Sequence, residues 1–285
     1  MIFSKKQRKI VKKRTAGLKK TVVFLFAWLF LGVFQTFSFF PCLKTLAEEY
    51  KWVQIGYFST WFNQNERGRC ENIALASSFI DGITVQPYGE FSFNQTVGRR
   101  TAKAGFRNAK IIQNGEYVAG IGGGVCQVST TLYNVALLSG LTVTEFHAHS
   151  LAVSYVAPSR DAMVSSNSDF RFYNPYPYPV RIRIKARNGD LTATVYGLNA
   201  PSENRAEYKI SSRVLAEIPP PEPEERTGEK EEILRKAKNG IKSECYLERY
   251  EKGALVSRKL LRKDLYSPIR EIIVKKVDDT TKKTP

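Results

Sequence analysis

Three consecutive glycines, Gly122, Gly123 and Gly124, run into Val125 and Cys126, and helical periodicity then continues from Val125 to Leu138, closed by Gly140. A helix N-terminus gathers unpaired N–H groups and a partial positive charge. Both favour a thiolate, so a cysteine there becomes a nucleophile or a soft metal ligand. The glycines would let a substrate backbone or an oxyanion approach closely. Gly122, Gly123, Gly124 and Gln127 are therefore the candidate substrate-binding residues. The chain's two histidines, His147 and His149, follow some twenty residues on, in an expected strand where a spacing of two puts both on one face. Asp161, after a Pro158-Ser159 turn, is placed to orient an imidazole.

Three chemistries fit these residues. Cys126 as nucleophile, a histidine as base and Asp161 as its orienting group would make a thiol enzyme. Cys126, His147 and His149 together offer three ligands of the kind zinc takes. In the third reading the glycines make a tight turn, Cys126 fills a small core space, and the histidines satisfy buried hydrogen bonds. Ser129 and Thr130, next along the helix, are expected to bond locally rather than act as nucleophiles.

The elements that must hold these groups read as follows. Val53–Phe58 is strand-like, and Cys70–Ile80 is helical, capped by Gly82. Short strands are expected at 83–85 and 90–93, with Pro87, Gly89 and Gly98 as turns. After Leu141 the apolar period becomes two, and Asn188-Gly189 between 180–186 and 191–196 is a hairpin signal. A helix-bearing half followed by an antiparallel sheet predicts an α+β fold, with a small β-rich C-terminal appendage. Phe91 and Phe93 are expected in the core, Arg99-Arg100 in a solvated turn, and 173–179 in a rigid proline-aromatic loop.

The chain has 285 residues and a net charge of +17. Nine of those charges (Lys5, Lys6, Arg8, Lys9, Lys12, Lys13, Arg14, Lys19 and Lys20) lie in residues 1–20, where there is no acid, and residues 21–200 and 201–285 add only +4 each. That distribution argues against a nucleic-acid binder. Residues 21–40 carry no charge and end at Pro41, so the cationic flank predicts a transmembrane signal-anchor over 21–41, with Lys44 onward outside. A signal peptide cleaved after Ala47 is the alternative. The expected organisation is a cytoplasmic basic segment (1–20), the anchor, a main domain (48–200), a proline-rich charged linker (218–232) and the appendage (233–285). Cys42, Cys70, Cys126 and Cys245 are too few and too dispersed for a disulfide scaffold; Cys70 and Cys245 either pair or stay free.

The sequence also resembles a known family. GYFSTWFN (56–63), NIALASSFIDG (72–82), GEFSFNQTVGRRTAKAGF (89–106), GIGGGVCQVSTTLYN (120–134), HAHSLAVSYV (147–156), DAMV (161–164) and DFRFYN (169–174) are similar to the VanW family. The resemblance implies a Gram-positive-type envelope protein, named for an accessory component of vancomycin-resistance clusters. Its pattern marks Gly122–Gly124, Cys126, Gln127, Ser129, Thr130, His147, His149 and Asp161. Three positions depart from it: Phe146 where an arginine is usual, Ser159 where a glycine is usual, and Tyr88 inserted between Pro87 and Gly89.

The expectation is a membrane-anchored extracytoplasmic protein of the cell wall, either a Cys-His thiol enzyme on peptidoglycan stem peptides or a non-catalytic wall-binding or assembly factor, with the zinc site as a further alternative. Its partners would be peptidoglycan or its precursors and, through the N-terminal helix, the membrane; neither nucleic acid nor a cofactor is called for.

Overall fold

The computed structural model describes residues 50–113, 115–201 and 205–276. The basic segment, the apolar segment and Cys42 lie outside the described residues, and among those described no helix is long and apolar enough to cross a membrane.

The α+β expectation is corrected: 47% of the described residues are strand and only 16% helix. Three α-helices occur among them, α1 (Arg67–Ile80), the single-turn α2 (Phe93–Val97) and α3 (Val125–Leu138). The expectation underestimated strand because much of it is exposed and lacks a clean apolar alternation. Asn108–Gln113 (β4) and Glu116–Ile121 (β5) form a hairpin with few buried side chains. The stretch read as a linker, 218–232, contains the strand Glu224–Gly228. Backbone pairing, not burial, makes these strands.

The first sheet contains the strands β1 (Trp52–Trp61), β2 (Thr84–Val85), β8 (Val180–Arg187) and β9 (Asp190–Leu198), in the antiparallel order β1-β9-β8-β2. Its β8–β9 hairpin turns at Asn188 (φ 53) and Gly189 (φ 84), the left-handed pair that a two-residue type I′ turn requires. A second sheet orders β3 (Glu90–Ser92), β7 (Arg171–Tyr173) and β6 (Thr142–Glu145) as β3-β7-β6.

Helix α3 is apolar or buried around nearly its whole circumference and touches β1, β9, β6 and α1. It is thus a central core helix rather than an amphipathic layer on one sheet face. Val128, Leu132, Val135 and Ala136 are fully buried and join Ile73, Phe170, Phe172, Ile182 and Val195 in one cluster.

The C-terminal strands form two further sheets. β10 (Glu207–Ile218), β13 (Gly240–Glu251) and β14 (Ala254–Tyr266) make the antiparallel order β10-β13-β14. β11 (Glu224–Gly228), β12 (Glu232–Arg235) and β15 (Ile272–Lys276) make the order β11-β15-β12, with β11 parallel to β15. The pairing of β13 with β14 is irregular at two points, one of them between Cys245 and Tyr246, where Leu261 is an extra residue in β14. Ile210, Leu247 and Leu261 pack against the core cluster, so the β10-β13-β14 sheet is seated on the helix-bearing part.

Candidate functional site

The site begins at the glycine turn. Gly124 caps α3 in the left-handed region (φ 105), where a Cβ would lie 2.9 Å from Ile73 Cγ1. A Cβ on Gly123 would lie 2.5 Å from the carbonyl oxygen of Lys110. Both positions therefore exclude a side chain. Buried Asn72 pins the turn: its Nδ2 donates to the carbonyls of Gly123 (2.9 Å) and Arg107 (2.9 Å), and its Oδ1 accepts from Arg107 N–H (2.7 Å). In the first turn of α3, Val125 N–H donates back to Gly122 and Gln127 N–H to Gly124. Between them, the Cys126 N–H has no backbone acceptor among the described residues.

Cys126 is only half-buried, unlike its helix neighbours, because it faces a cleft. Its Sγ lies 3.4 Å from the carbonyl oxygen of Val164, and His149 lines the same cleft. Burial alone would raise the thiol, but the hydrogen bond and charge of His149, with Val164 and Arg100, outweigh it and hold Cys126 below the ordinary 9.0. Burial likewise opposes the charged form of His149, yet Asp161 and Cys126 raise it from 6.5 to about 9. Each group thus stabilises the charged form of the other, thiolate on Cys126 and imidazolium on His149.

Asp161 completes the line. Its Oδ2 lies 2.7 Å from His149 Nδ1 and accepts the His149 backbone N–H at 2.8 Å. The carboxyl is buried, which would raise it, but His149, Arg262 and Tyr266 hold it below the usual carboxylate range. Side chains of α3 fix the segment that carries it. Ser129 Oγ donates to Ala162 O (2.6 Å), Thr130 Oγ1 accepts from Ala162 N–H (2.9 Å), and Asn134 Nδ2 donates to Arg160 O (2.8 Å). The helix that supplies the thiol thus also grips the strap that supplies the carboxylate.

The cleft in front of Cys126 has a volume of about 1410 Å³. Five cations line it, Arg69, Arg99, Arg100, Lys110 and Lys238, against the single carboxylate of Glu66. None of the five makes a carboxylate ion pair among the described residues, although eighteen such contacts are made elsewhere. Burial pushes the Arg100 guanidinium down, with Cys126 and Asp169 as the charges opposing that. Trp61 and Tyr117, both largely exposed, stand on the same walls.

Residues 68–196 match the family described as VanW like protein. A relative from Bacillus subtilis (strain 168), the uncharacterized protein YoaR, is 42% identical over 167 residues, covering 58% of this chain and 55% of that protein. The vancomycin B-type resistance protein VanW of Enterococcus faecalis (strain ATCC 700802 / V583) is 30% identical over 78 residues, 27% of this chain and 28% of its own length. This chain carries a VanW-like domain. The match spans about half of the first relative's length and less than a third of the second's. The crystal structure of HP0197-G5 aligns at 24% identity over 24% of this chain and 97% of its own, with a TM-score of 0.14.

Two of the VanW-like domain's departures from the family pattern acquire a conformational reason. Ser159 (φ 61) and Tyr88 (φ 59) both sit in the left-handed region that favours glycine. Buried Ser159 offsets that strain with a hydroxyl contact to Ser243 Oγ at 2.7 Å, which a glycine would lack. Phe146, where an arginine is usual, packs on Tyr133 and lies beneath the Arg262 guanidinium, 4.9 Å from the ring centroid.

The two histidines of the VanW-like domain do not share a face. β6 ends at Glu145, and the 146–149 segment is not a strand. His147 Nε2 turns to Glu145 Oε1 (3.0 Å), while His149 takes Asp161. Among the described residues no three His, Cys, Asp or Glu side chains are grouped as a metal site. Gln127 lines the cleft floor, but its side chain is a buried strut, bonded to Thr60 (3.0 Å), Trp61 O (2.9 Å) and Arg69 Nη2 (2.6 Å). Among the described residues, Cys70, Cys126 and Cys245 form no disulfide with one another.

Sequence reasoning missed Asn72, Arg69, Arg262 and Tyr266. Asn72 stood inside a recognised motif and is a polar residue on an apolar helix face, a legible sign of a buried clamp. Arg262 and Tyr266 left no sign, because they lie 101 and 105 positions from the carboxylate they contact.

Proposed function

We propose that this protein is a membrane-anchored, extracytoplasmic thiol acyltransferase or hydrolase acting on carboxylate-bearing peptides of the cell wall. The observation that carries the reading is the Cys126–His149–Asp161 line opening on a cleft rich in unpaired cations. The Cys126 thiolate attacks an amide carbonyl carbon, forming a C–S bond. The oxyanion is met by the Cys126 N–H at the head of α3. The imidazolium of His149 then gives its proton to the leaving amine as the C–N bond breaks, leaving a thioester. A second amine or water attacks the thioester with neutral His149 as base, returning the thiolate and imidazolium. The surplus of cations favours an acyl donor with free carboxylates, such as a stem peptide, and the exposed Trp61 and Tyr117 offer faces for its apolar or sugar parts.

Wild type, Cys126→Ala and His149→Ala are incubated with purified peptidoglycan fragments and the products followed by mass spectrometry. Cleaved or newly joined peptides are expected from wild type only. Product formation by Cys126→Ala would refute nucleophilic chemistry. Binding of fragments without turnover by folded wild type would leave a wall-binding accessory role instead.

A further inference from the structure

We propose that Arg262 and Tyr266, delivered by β14, are positioning residues of the thiol site, so that the C-terminal sheet completes a catalytic line begun in the VanW-like domain. This rests on the reading of Cys126, His149 and Asp161 given above.

Asp161 is held on both of its carboxylate oxygens. Oδ2 faces the His149 ring and backbone N–H. Oδ1 accepts the Tyr266 hydroxyl (2.5 Å) and one Arg262 Nη2–H (3.4 Å). Arg262 Nη1 also donates to the backbone carbonyl of Asp161 at 2.6 Å. The carboxylate cannot rotate away from the imidazole without breaking bonds on its far side.

Arg262 and Tyr266 are themselves fixed. Arg262 Nε donates to Asp264 Oδ2 at 2.6 Å, and the guanidinium lies over Phe146. The Tyr266 hydroxyl accepts the Ser159 N–H at 2.8 Å, two residues before the carboxylate. One residue beyond, Ser267 N–H donates to Ser150 O (2.8 Å), beside His149. The end of β14 therefore clasps both segments that carry the line, and Lys238, just before β13, reaches the cleft wall.

Packing does not account for this arrangement. Arg262 is 7% exposed and Tyr266 1%. Burying charges here incurs desolvation that an apolar contact of equal volume would avoid. What the charges achieve is a carboxylate fixed in direction, and a fixed carboxylate sets the tautomer and direction of the imidazole.

The test is the pH dependence of Cys126 alkylation by iodoacetamide, counted at the Cys126 peptide by mass spectrometry, in the full chain. It needs no peptide substrate, so it separates this inference from the choice of reaction. The charged and titratable groups facing the thiol are His149, Arg100 and, more distantly, Tyr155; those behind Asp161 are Arg262, Tyr266, Asp264 and Tyr133. Wild type is expected to label with a midpoint below that of an ordinary thiol. Tyr266→Phe removes one oxygen and keeps the ring, and is expected to raise the midpoint by about one unit, which slows labelling about tenfold at any pH well below the wild-type midpoint. It should also abolish the low-field NMR proton of the His149–Asp161 bond. Arg262→Lys keeps the charge but loses the fork, and should shift the midpoint in the same direction.

A wild-type midpoint below the ordinary value that is unchanged in both variants, with the low-field proton intact, overturns the inference alone. A wild-type midpoint at the ordinary value overturns it together with the thiol site. A displaced midpoint in the variants, with no peptide product from wild type, upholds the positioning role and rejects the reaction. If Arg262→Lys fails to fold, Tyr266→Phe decides.

Discussion

Two thiols, Cys126 and Cys245, are shifted in opposite directions. Cys245, in β13 and paired across the sheet with Arg262, is fully buried, and burial pushes it up to about 11 despite Arg160 and Arg262. Cys126 experiences the same penalty yet titrates below the ordinary value. The difference is a hydrogen-bonding imidazole and an open cleft. Burial alone makes an inert thiol; burial with an oriented base makes a nucleophile. His147 and His149 teach the same lesson: a surface carboxylate holds one and a buried carboxylate the other, although they are two residues apart.

The sharpest way to break the comparison is to exchange the thiols for inert groups one at a time. Cys126→Ala is expected to abolish peptide turnover, while Cys245→Ser leaves the rate within about twofold, measured by product mass spectrometry. Next, His149→Ala should lower kcat by about 10²–10⁴-fold, and His147→Ala should leave it unchanged. Replacing Asp161 with Ala strands Arg262 and His149 without their shared partner. It should cost about 3–5 kcal/mol in denaturant unfolding, more than the same change at half-buried Glu145. Asn72→Ala leaves buried carbonyls unsatisfied at the glycine turn and should cost about 1–3 kcal/mol by the same measurement.

The smallest effect is the pH dependence. His149 is raised in the folded state, to about 9 from 6.5, so its stabilisation is complete below pH 6.5 and is lost as the pH rises through about 9. Cys126 is lowered, so its contribution is present above 9.0 and lost as the pH falls through its folded value. The loss of stability as the pH rises through about 9 should be absent from the unfolding profile of His149→Gln, and turnover by wild type should fall over the same range as the imidazolium is lost.

What the sequence makes legible is local. The glycine turn into Cys126 and the helix behind it follow from composition and a period of 3.6, and the β8–β9 hairpin follows from Asn188-Gly189. The hairpin of β4 and β5 has too little apolar alternation to stand out. The two histidines were placed on a strand by parity alone, and parity fails once the chain leaves the sheet. The contacts of Arg262 and Tyr266 arise from tertiary packing between segments a hundred residues apart, which no local pattern encodes.

The extra residue in β14 gives that strand a reading frame. Leu260 lies opposite Tyr246 and Arg262 opposite Cys245, so Leu261 shifts the alternation by one step. Before it, every residue of β14 is exposed; after it, Arg262 and Tyr266 are buried while Lys263 and Leu265 are exposed. If the irregularity were straightened with Leu261 retained, a lysine and a leucine would turn toward Asp161. An insertion between Arg262 and Tyr266 is thus a frameshift in three dimensions, whereas one at the Lys252-Gly253 tip of the same hairpin is only a longer spacer.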